Sequence, residues 1–229
     1  MTSEWEQQIK AQIKRRYAGL ESSAEDGAAK AVAHGYPAEL ISELPPALAA
    51  GYSGCGYLFE GLDFKGDETV VDLGSGAGLD SYIATLQLTN GTVISIDMTI
   101  EMLEKVNLRL SINYLCADIE ALPLKDSCAD LVIANASFNL AISKTKAFAE
   151  AYRVLKSGGR LVARDLVKEG ELPAEVLTDP LSFNTSLGGA LEEDALIAEI
   201  AKAGFEDITL SDHKEFSYVQ SVKIQAIRA

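Results

Sequence analysis

The chain has few of the side chains that carry metal or redox chemistry: three cysteines and two histidines among 229 residues. Cys55, Cys116 and Cys128 are odd in number and far apart, so neither a disulfide framework nor a zinc site is expected, and no metal is assigned. Cations are scarce too. Twenty Lys and Arg stand against 34 Asp and Glu, a net charge of −14. Phosphate binding needs clustered Lys and Arg, so the deficit excludes nucleic acid and disfavours an anionic membrane surface. No apolar run approaches the roughly 18 residues of a membrane span. The opening Met-Thr-Ser-Glu-Trp-Glu has neither a basic start nor an apolar stretch, so no signal peptide is expected. A reducing cytoplasm is the expected location.

What is present is a single α/β domain over residues 1–229, with residues 1–52 as an N-terminal helical lid and 53–229 as the core. Ser3 and Glu6 have capping-box spacing at the head of a helix over 3–20. Trp5, Ile9, Ile13 and Tyr17 form its apolar face, and Lys10, Lys14, Arg15 and Arg16 lie mostly off it. A second helix is expected over 24–34, then a short helical piece, then a break at Pro45-Pro46. Residues 51–56, Gly-Tyr-Ser-Gly-Cys-Gly, read as a flexible loop.

From about residue 69 strands and helices alternate. Strands are expected at 69–73, 92–97, 113–117, 130–136, 159–165, 206–211 and 220–227, and helices at 78–87, 100–108, 144–156 and 191–203. The early strands are near-continuous apolar runs, as strands buried on both faces are. Such alternation predicts a Rossmann-like, mostly parallel seven-stranded sheet. The last two strands have no helix between them, so they must form a hairpin with one strand antiparallel. Residues 166–190 are long for a strand-to-helix connection and are expected to cover the site.

Ligands in such sheets bind beyond the carboxyl ends of the strands, where strand order reverses. That rule selects Gly74, Ser75, Gly76 and Gly78 after the first strand, Asp97 ending the second, Asp118 after the third, Asn135 in the fourth and Asp165 in the fifth. The glycines would let backbone amides approach a ligand, and Asp97 would accept from both hydroxyls of a ribose. A dinucleotide loop is spaced G-x-G-x-x-G. Here the third glycine comes one residue early, at Gly78, and Leu79 takes its place. S-adenosylmethionine (SAM) has no pyrophosphate to cradle. Asp72, just before the loop, is placed to favour its amine.

These stretches resemble the class I SAM-dependent methyltransferases and, within them, the arsenite methyltransferase-like group. The resemblance spans about residues 36–210. It is carried by Gly54-Cys55-Gly56, by Glu68 through Asp80, by Ile96-Asp97-Met98-Thr99, by Asp118 through Pro123, by Arg153-Val154-Leu155-Lys156 with Gly158-Gly159-Arg160, and by Gly170-Glu171-Leu172-Pro173. It implies that the glycine loop holds the methionine part of SAM, with Asn135 beside it. Asp97 would take the ribose, Met98 would pack on the adenine, and Asp118 and Ile119 would meet the adenine amine and edge. Tyr17 resembles a lid tyrosine of the family, although core packing on the apolar stripe would place it equally well.

The group binds arsenite through three cysteines. Cys55 matches one, but Ala136 and Ser186 stand where the resemblance implies the other two. Cys128, before the fourth strand, is expected at the far end of the sheet, and Cys116 as a buried core residue. The expected activity is therefore methyl transfer from SAM to a small acceptor other than arsenite. Phe183, Asn184, Thr185 and Ser186 in the covering segment point to a polar, neutral one. Arsenite methylation through Cys55 with an external thiol, a non-catalytic SAM-binding role and an NAD-dependent oxidoreductase are the alternatives. Candidates for a catalytic group are Tyr17, His34, Tyr36, Cys55, Asn139 and Asp165, while His213 is expected at the surface.

Overall fold

The computed structural model describes residues 3–20, 22–105, 112–172 and 187–229. Among these residues the sheet has seven strands in the order β3-β2-β1-β4-β5-β7-β6. They are β1 (Thr69–Leu73), β2 (Thr92–Asp97), β3 (Ile112–Cys116), β4 (Ala129–Asn135), β5 (Leu155–Val167), β6 (Phe205–Phe216) and β7 (Val219–Arg228). β1 to β5 pair in parallel, and β7 runs antiparallel to both β5 and β6, as the missing crossover helix requires. The order reverses between β1 and β4, so the crevice opens at their carboxyl ends.

The helices are α1 (Glu4–Ala18), α2 (Ala24–Ala33), α3 (Ala38–Glu43), α4 (Pro46–Ala50), α5 (Leu79–Leu86), α6 (Ile100–Glu104), α7 (Lys144–Val154) and α8 (Glu193–Lys202). Ser3 and Glu6 cap α1 reciprocally. Pro45-Pro46, read as a breaker, instead opens α4, because proline fits the first helical turn, where no partner for its missing N–H is needed. β5 begins at Leu155, where α7 stops, and so absorbs the Ser157-Gly158-Gly159 stop signal; Gly158 there has φ +74°. No helix among the described residues is long and apolar enough to cross a membrane.

The core fills both faces of the sheet. Val71, Leu73, Val132 and Ala134 pack with Phe138 and Phe148 on one side, and Val70, Leu131 and Ile133 pack with Leu58, Leu79 and Ile83 on the other. Phe138 and Phe148 stack with centroids 4.2 Å apart. They pin the 3₁₀ turn Phe138–Leu140 that follows β4.

Two expectations change here. Residues 51–56 are not a loose loop. Gly51, Tyr52, Gly54, Cys55 and Gly56 are buried, and the segment forms a wall of the crevice. Cys116 is exposed, because β3 is the edge strand and none of the described residues covers its last residue. Cys128 is partly buried at the opposite end of the sheet, before β4.

Candidate functional site

The turn after β1 is built by its own amides. Those of Gly74 and Ser75 donate to the Ile96 carbonyl, that of Gly78 to the Ser75 carbonyl, and that of Gly76 to Asp97 Oδ2 at 2.9 Å. Gly74, Gly76 and Gly78 all have positive φ, which glycine adopts without strain. At Gly74 a Cβ would also lie 2.4 Å from the Ser137 Cβ. All four of these amides are engaged inside the protein, so what the four contribute to the crevice here is its shape.

The crevice has two lobes. The larger, with about 640 Å³ of open space, is lined by Gly74, Gly76, Asp97, Met98, Asp118 and Ile119, and α1 covers it with Lys10, Ile13 and Tyr17. Asp97 Oδ1 accepts from the Thr99 amide, so both its oxygens are oriented by backbone donors while lone pairs remain free. Burial raises its pKa, against the lowering effect of those amides. The smaller lobe, about 360 Å³, is lined by Ser75, Asp72, Asp80, Tyr52 and Asn135, with Gly74 and Gly76 shared between lobes.

Asp72 and Asp80 are both buried. Burial and the neighbouring Asp80 push Asp72 up to about 8, and Ser81 donates to it at 2.6 Å. Burial lifts Asp80 to about 6, although Tyr36 donates to its Oδ1 at 2.7 Å and Asn135 Nδ2 to its Oδ2 at 2.9 Å. Sequence reasoning missed Asp80, whose only signal is its place in the first turn of α5. The hydroxyls of Ser75 and Ser137 are buried without a hydrogen-bond partner, one in each lobe.

Asn135 lies between the lobes as a brace. Its Nδ2 is 2.8 Å from the Gly56 carbonyl and 3.0 Å from the Tyr36 hydroxyl, and its Oδ1 accepts the Cys55 amide at 2.9 Å. The 51–56 wall is thus fastened to β4. Arg164, fully buried, packs behind it, donating to the carbonyl of the following Tyr57 and pairing with Asp212; a Cβ on Gly56 would strike its side chain at 2.3 Å.

The proposed catalytic groups are dispersed. Tyr17 alone of them lines either lobe. His34 Nδ1 lies 3.2 Å from the Tyr52 hydroxyl and from the Gly54 carbonyl, and burial, aided by Lys30, lowers its pKa. Burial keeps the Tyr36 phenol neutral. Cys55 is 3% exposed, and burial together with Asp165 holds its thiol protonated. The two oxygens of Asp165 accept the Asn139 and Leu166 amides, and Asn139 Nδ2 donates to the Leu166 carbonyl, so both residues support the turn after β4. His213 pairs with Glu193 at the surface. Phe183, Asn184, Thr185 and Ser186, with most of the expected covering segment, lie outside the described residues. Among the described residues no group of three or more His, Cys, Asp or Glu could hold a metal ion.

A family model described as a methyltransferase domain matches residues 64–212. The chain is 35% identical over 188 residues to an arsenite methyltransferase of Halobacterium salinarum, covering 79% of this chain and 48% of that one. It is 34% identical over 184 residues to the human arsenite methyltransferase, covering 73% and 48%. The chain spans about half the length of these curated relatives. Among solved structures, CrArsM, an arsenic(III) SAM methyltransferase from Chlamydomonas reinhardtii, superposes with a TM-score of 0.70 at 26% identity, over 88% of this chain and 73% of that one. Phosphoethanolamine N-methyltransferase 2 of Haemonchus contortus, solved with SAM, shares the fold, with a TM-score of 0.66 at 17% identity over 77% and 53%.

Proposed function

This chain belongs to the methyltransferase-domain family, of the class I SAM-dependent kind, and on that basis we propose that it transfers the methyl group of SAM to a small acceptor that is not a metalloid. The observation that carries this reading is the two-lobed crevice. One lobe is closed by Asp97 and Asp118, and the other is lined by two buried carboxylates, Asp72 and Asp80. Hydroxyl-rich ribose suits the first, and an amino-acid ammonium suits the second. The unpartnered Ser75 and Ser137 hydroxyls are the kind of buried polar groups that a bound ligand satisfies. The engaged loop amides leave no cradle for a pyrophosphate, which disfavours NAD. In this reading Asp97 takes the ribose, Met98 and Ile119 pack against the base, Asp118 takes its amine, and Asp72 and Asp80 face the ammonium. Bound SAM supplies an electrophilic methyl, and transfer leaves S-adenosylhomocysteine (SAH). The protein aligns and excludes water, effects worth up to roughly 7–11 kcal/mol in well-oriented systems.

Arsenite is a soft, thiophilic acceptor best held by thiolates. Cys55 is buried and protonated, Ala136 has no thiol, and Cys116 and Cys128 lie on the edge strand and at the far end of the sheet. We therefore expect methyl-labelled SAM to be consumed when cell-extract metabolites are offered, and no arsenite-dependent turnover, with or without glutathione. Arsenite-dependent turnover lost in Cys55→Ala would reverse the acceptor assignment. SAM binding without transfer to any extract component would leave a binding protein.

Asp72 also makes a stability prediction. Its folded pKa, about 8, lies far above the ordinary carboxylate value, so the folded state keeps a proton that the unfolded chain has released. Its contribution to stability therefore falls as pH rises from about 4 towards 8. Asp72→Asn should remove that slope. Relative to the unmodified protein, the variant should gain roughly 2 kcal/mol between pH 6 and 7.5, at about 1.4 kcal/mol per pH unit. Urea unfolding of the ligand-free proteins at both pH values reads this directly, and parallel pH profiles would contradict it.

A further inference from the structure

Lys10 has no part in the reading so far. It lies off the apolar stripe of α1, where a lysine is ordinarily solvated. In the structure it faces the acids of the crevice. Its Nζ is 2.6 Å from Asp118 Oδ2 and 3.1 Å from Glu120 Oε1. Only 16% of the Lys10 side chain and 5% of the Glu120 side chain are exposed. Lys14, one turn further along, acts electrostatically on Asp97.

The same Glu120 oxygen accepts the Ile142 amide at 2.8 Å, and Asp118 Oδ1 accepts the Glu120 amide at 3.0 Å. One ammonium thus joins three parts of the crevice: α1, the loop after β3, and the turn before α7. Burial works against its charge, yet the two carboxylates hold its pKa above the ordinary lysine value. Without it, Glu120 would be a buried carboxylate that has lost its ion-pair partner, left with the electrostatic influence of Lys144.

Asp118 is now gripped at both oxygens, by Lys10 at Oδ2 and by a backbone amide at Oδ1. A carboxylate held at both ends cannot swivel, and an ionised carboxylate only accepts hydrogen bonds. Its remaining lone pairs favour a base that carries an amino group and repel one that carries a carbonyl oxygen. We propose that Lys10 is a positioning residue that sets base specificity, locking Asp118 as an acceptor for an exocyclic amine and tying that recognition to the closure of α1 over the crevice. This rests on the assignment of Asp118 to the adenine amine.

The test compares two ligands that differ at the 6-position of the base and the adjoining N1: SAH, with an amino group beside an unprotonated N1, and S-inosyl-L-homocysteine, with an oxo group beside an N1–H. Affinities are measured by calorimetry for the full chain and for Lys10→Met and Lys10→Arg. The unmodified protein should prefer SAH by roughly tenfold or more, as sites built to pair a donor reject analogues lacking it. Lys10→Met should cut that preference about fivefold or more, and Lys10→Arg should keep most of it. If Lys10 only held α1 down, its loss would weaken both ligands equally and leave the ratio unchanged. A preference that survives Lys10→Met therefore overturns the proposal alone. No preference in the unmodified protein overturns the Asp118 assignment and this proposal together, and loss of SAH binding altogether in the unmodified protein overturns the cofactor reading beneath both.

Discussion

Asn135→Asp is expected to destabilise the ligand-free protein by roughly 3 kcal/mol or more at pH 8, the scale of breaking a buried, hydrogen-bonded polar cluster. The native amide donates towards the Gly56 carbonyl, the Tyr36 hydroxyl and Asp80 Oδ2, and accepts from the Cys55 amide. A carboxylate keeps the acceptor and loses the donor. It also stands where Nδ2 was, 2.9 Å from a second buried carboxylate. Two such groups cannot both ionise at that distance, so one proton stays with the pair. Asp80 alone is already lifted to about 6. The pair's folded affinity for that proton exceeds the unfolded one, so stability falls as pH rises, and the variant should recover part of its loss at pH 5. Urea unfolding at pH 5 and 8 checks both parts. A loss below about 1 kcal/mol at pH 8 would show that the cluster does not brace the wall, because typical neutral hydrogen bonds contribute that little.

Asp97→Ala is the second large effect, and it should appear in binding more than in folding. SAM affinity should drop tenfold or more, about 1.4 kcal/mol or above, as expected for losing charge-assisted bonds to two hydroxyls. Part of the drop is indirect. Asp97 also fastens the Gly76 and Thr99 amides, so its loss frees the turn that shapes both lobes. Asp97→Asn separates the contributions. It retains an acceptor oxygen but not the charge, and should fall between the unmodified protein and the alanine variant. Calorimetry with SAM measures all three. Unchanged affinity in Asp97→Ala would remove the ribose assignment.

The framework of the fold was legible because its signals are local. The continuous apolar runs at 69–73 and 92–97 coincide with β1 and β2, and the absent crossover before residue 220 required the antiparallel β7. What was illegible depends on groups far apart in the chain. The brace joins residues 80 positions apart, Cys55 and Asn135, and the contact closing the large lobe joins Lys10 to Asp118, 108 positions apart. No periodicity reports such pairs. Gly-Tyr-Ser-Gly-Cys-Gly reads as loose by composition, yet its glycines are there for close approach: a Cβ on Gly54 would lie 2.7 Å from the Asn135 amide. Cys116 was misjudged for a different reason. Its strand reads as apolar, but edge position is a property of strand order, which follows from the whole topology. Among the candidate site residues, Asp97 and Asp118 follow from the rule about strand ends and Asp72 from its place just before the glycine loop, whereas Asp80 becomes visible only when α5 is folded back beside β1.

The turn after β1 has one more consequence. The amides of Gly74, Ser75, Gly76 and Gly78 point inward and carboxylates line both lobes, so a triphosphate or dinucleotide is expected to meet repulsion there with none of these four amides free to grip it. Selection by refusal is the expected outcome: a crevice that repels anionic look-alikes would stay open to a positively charged guest.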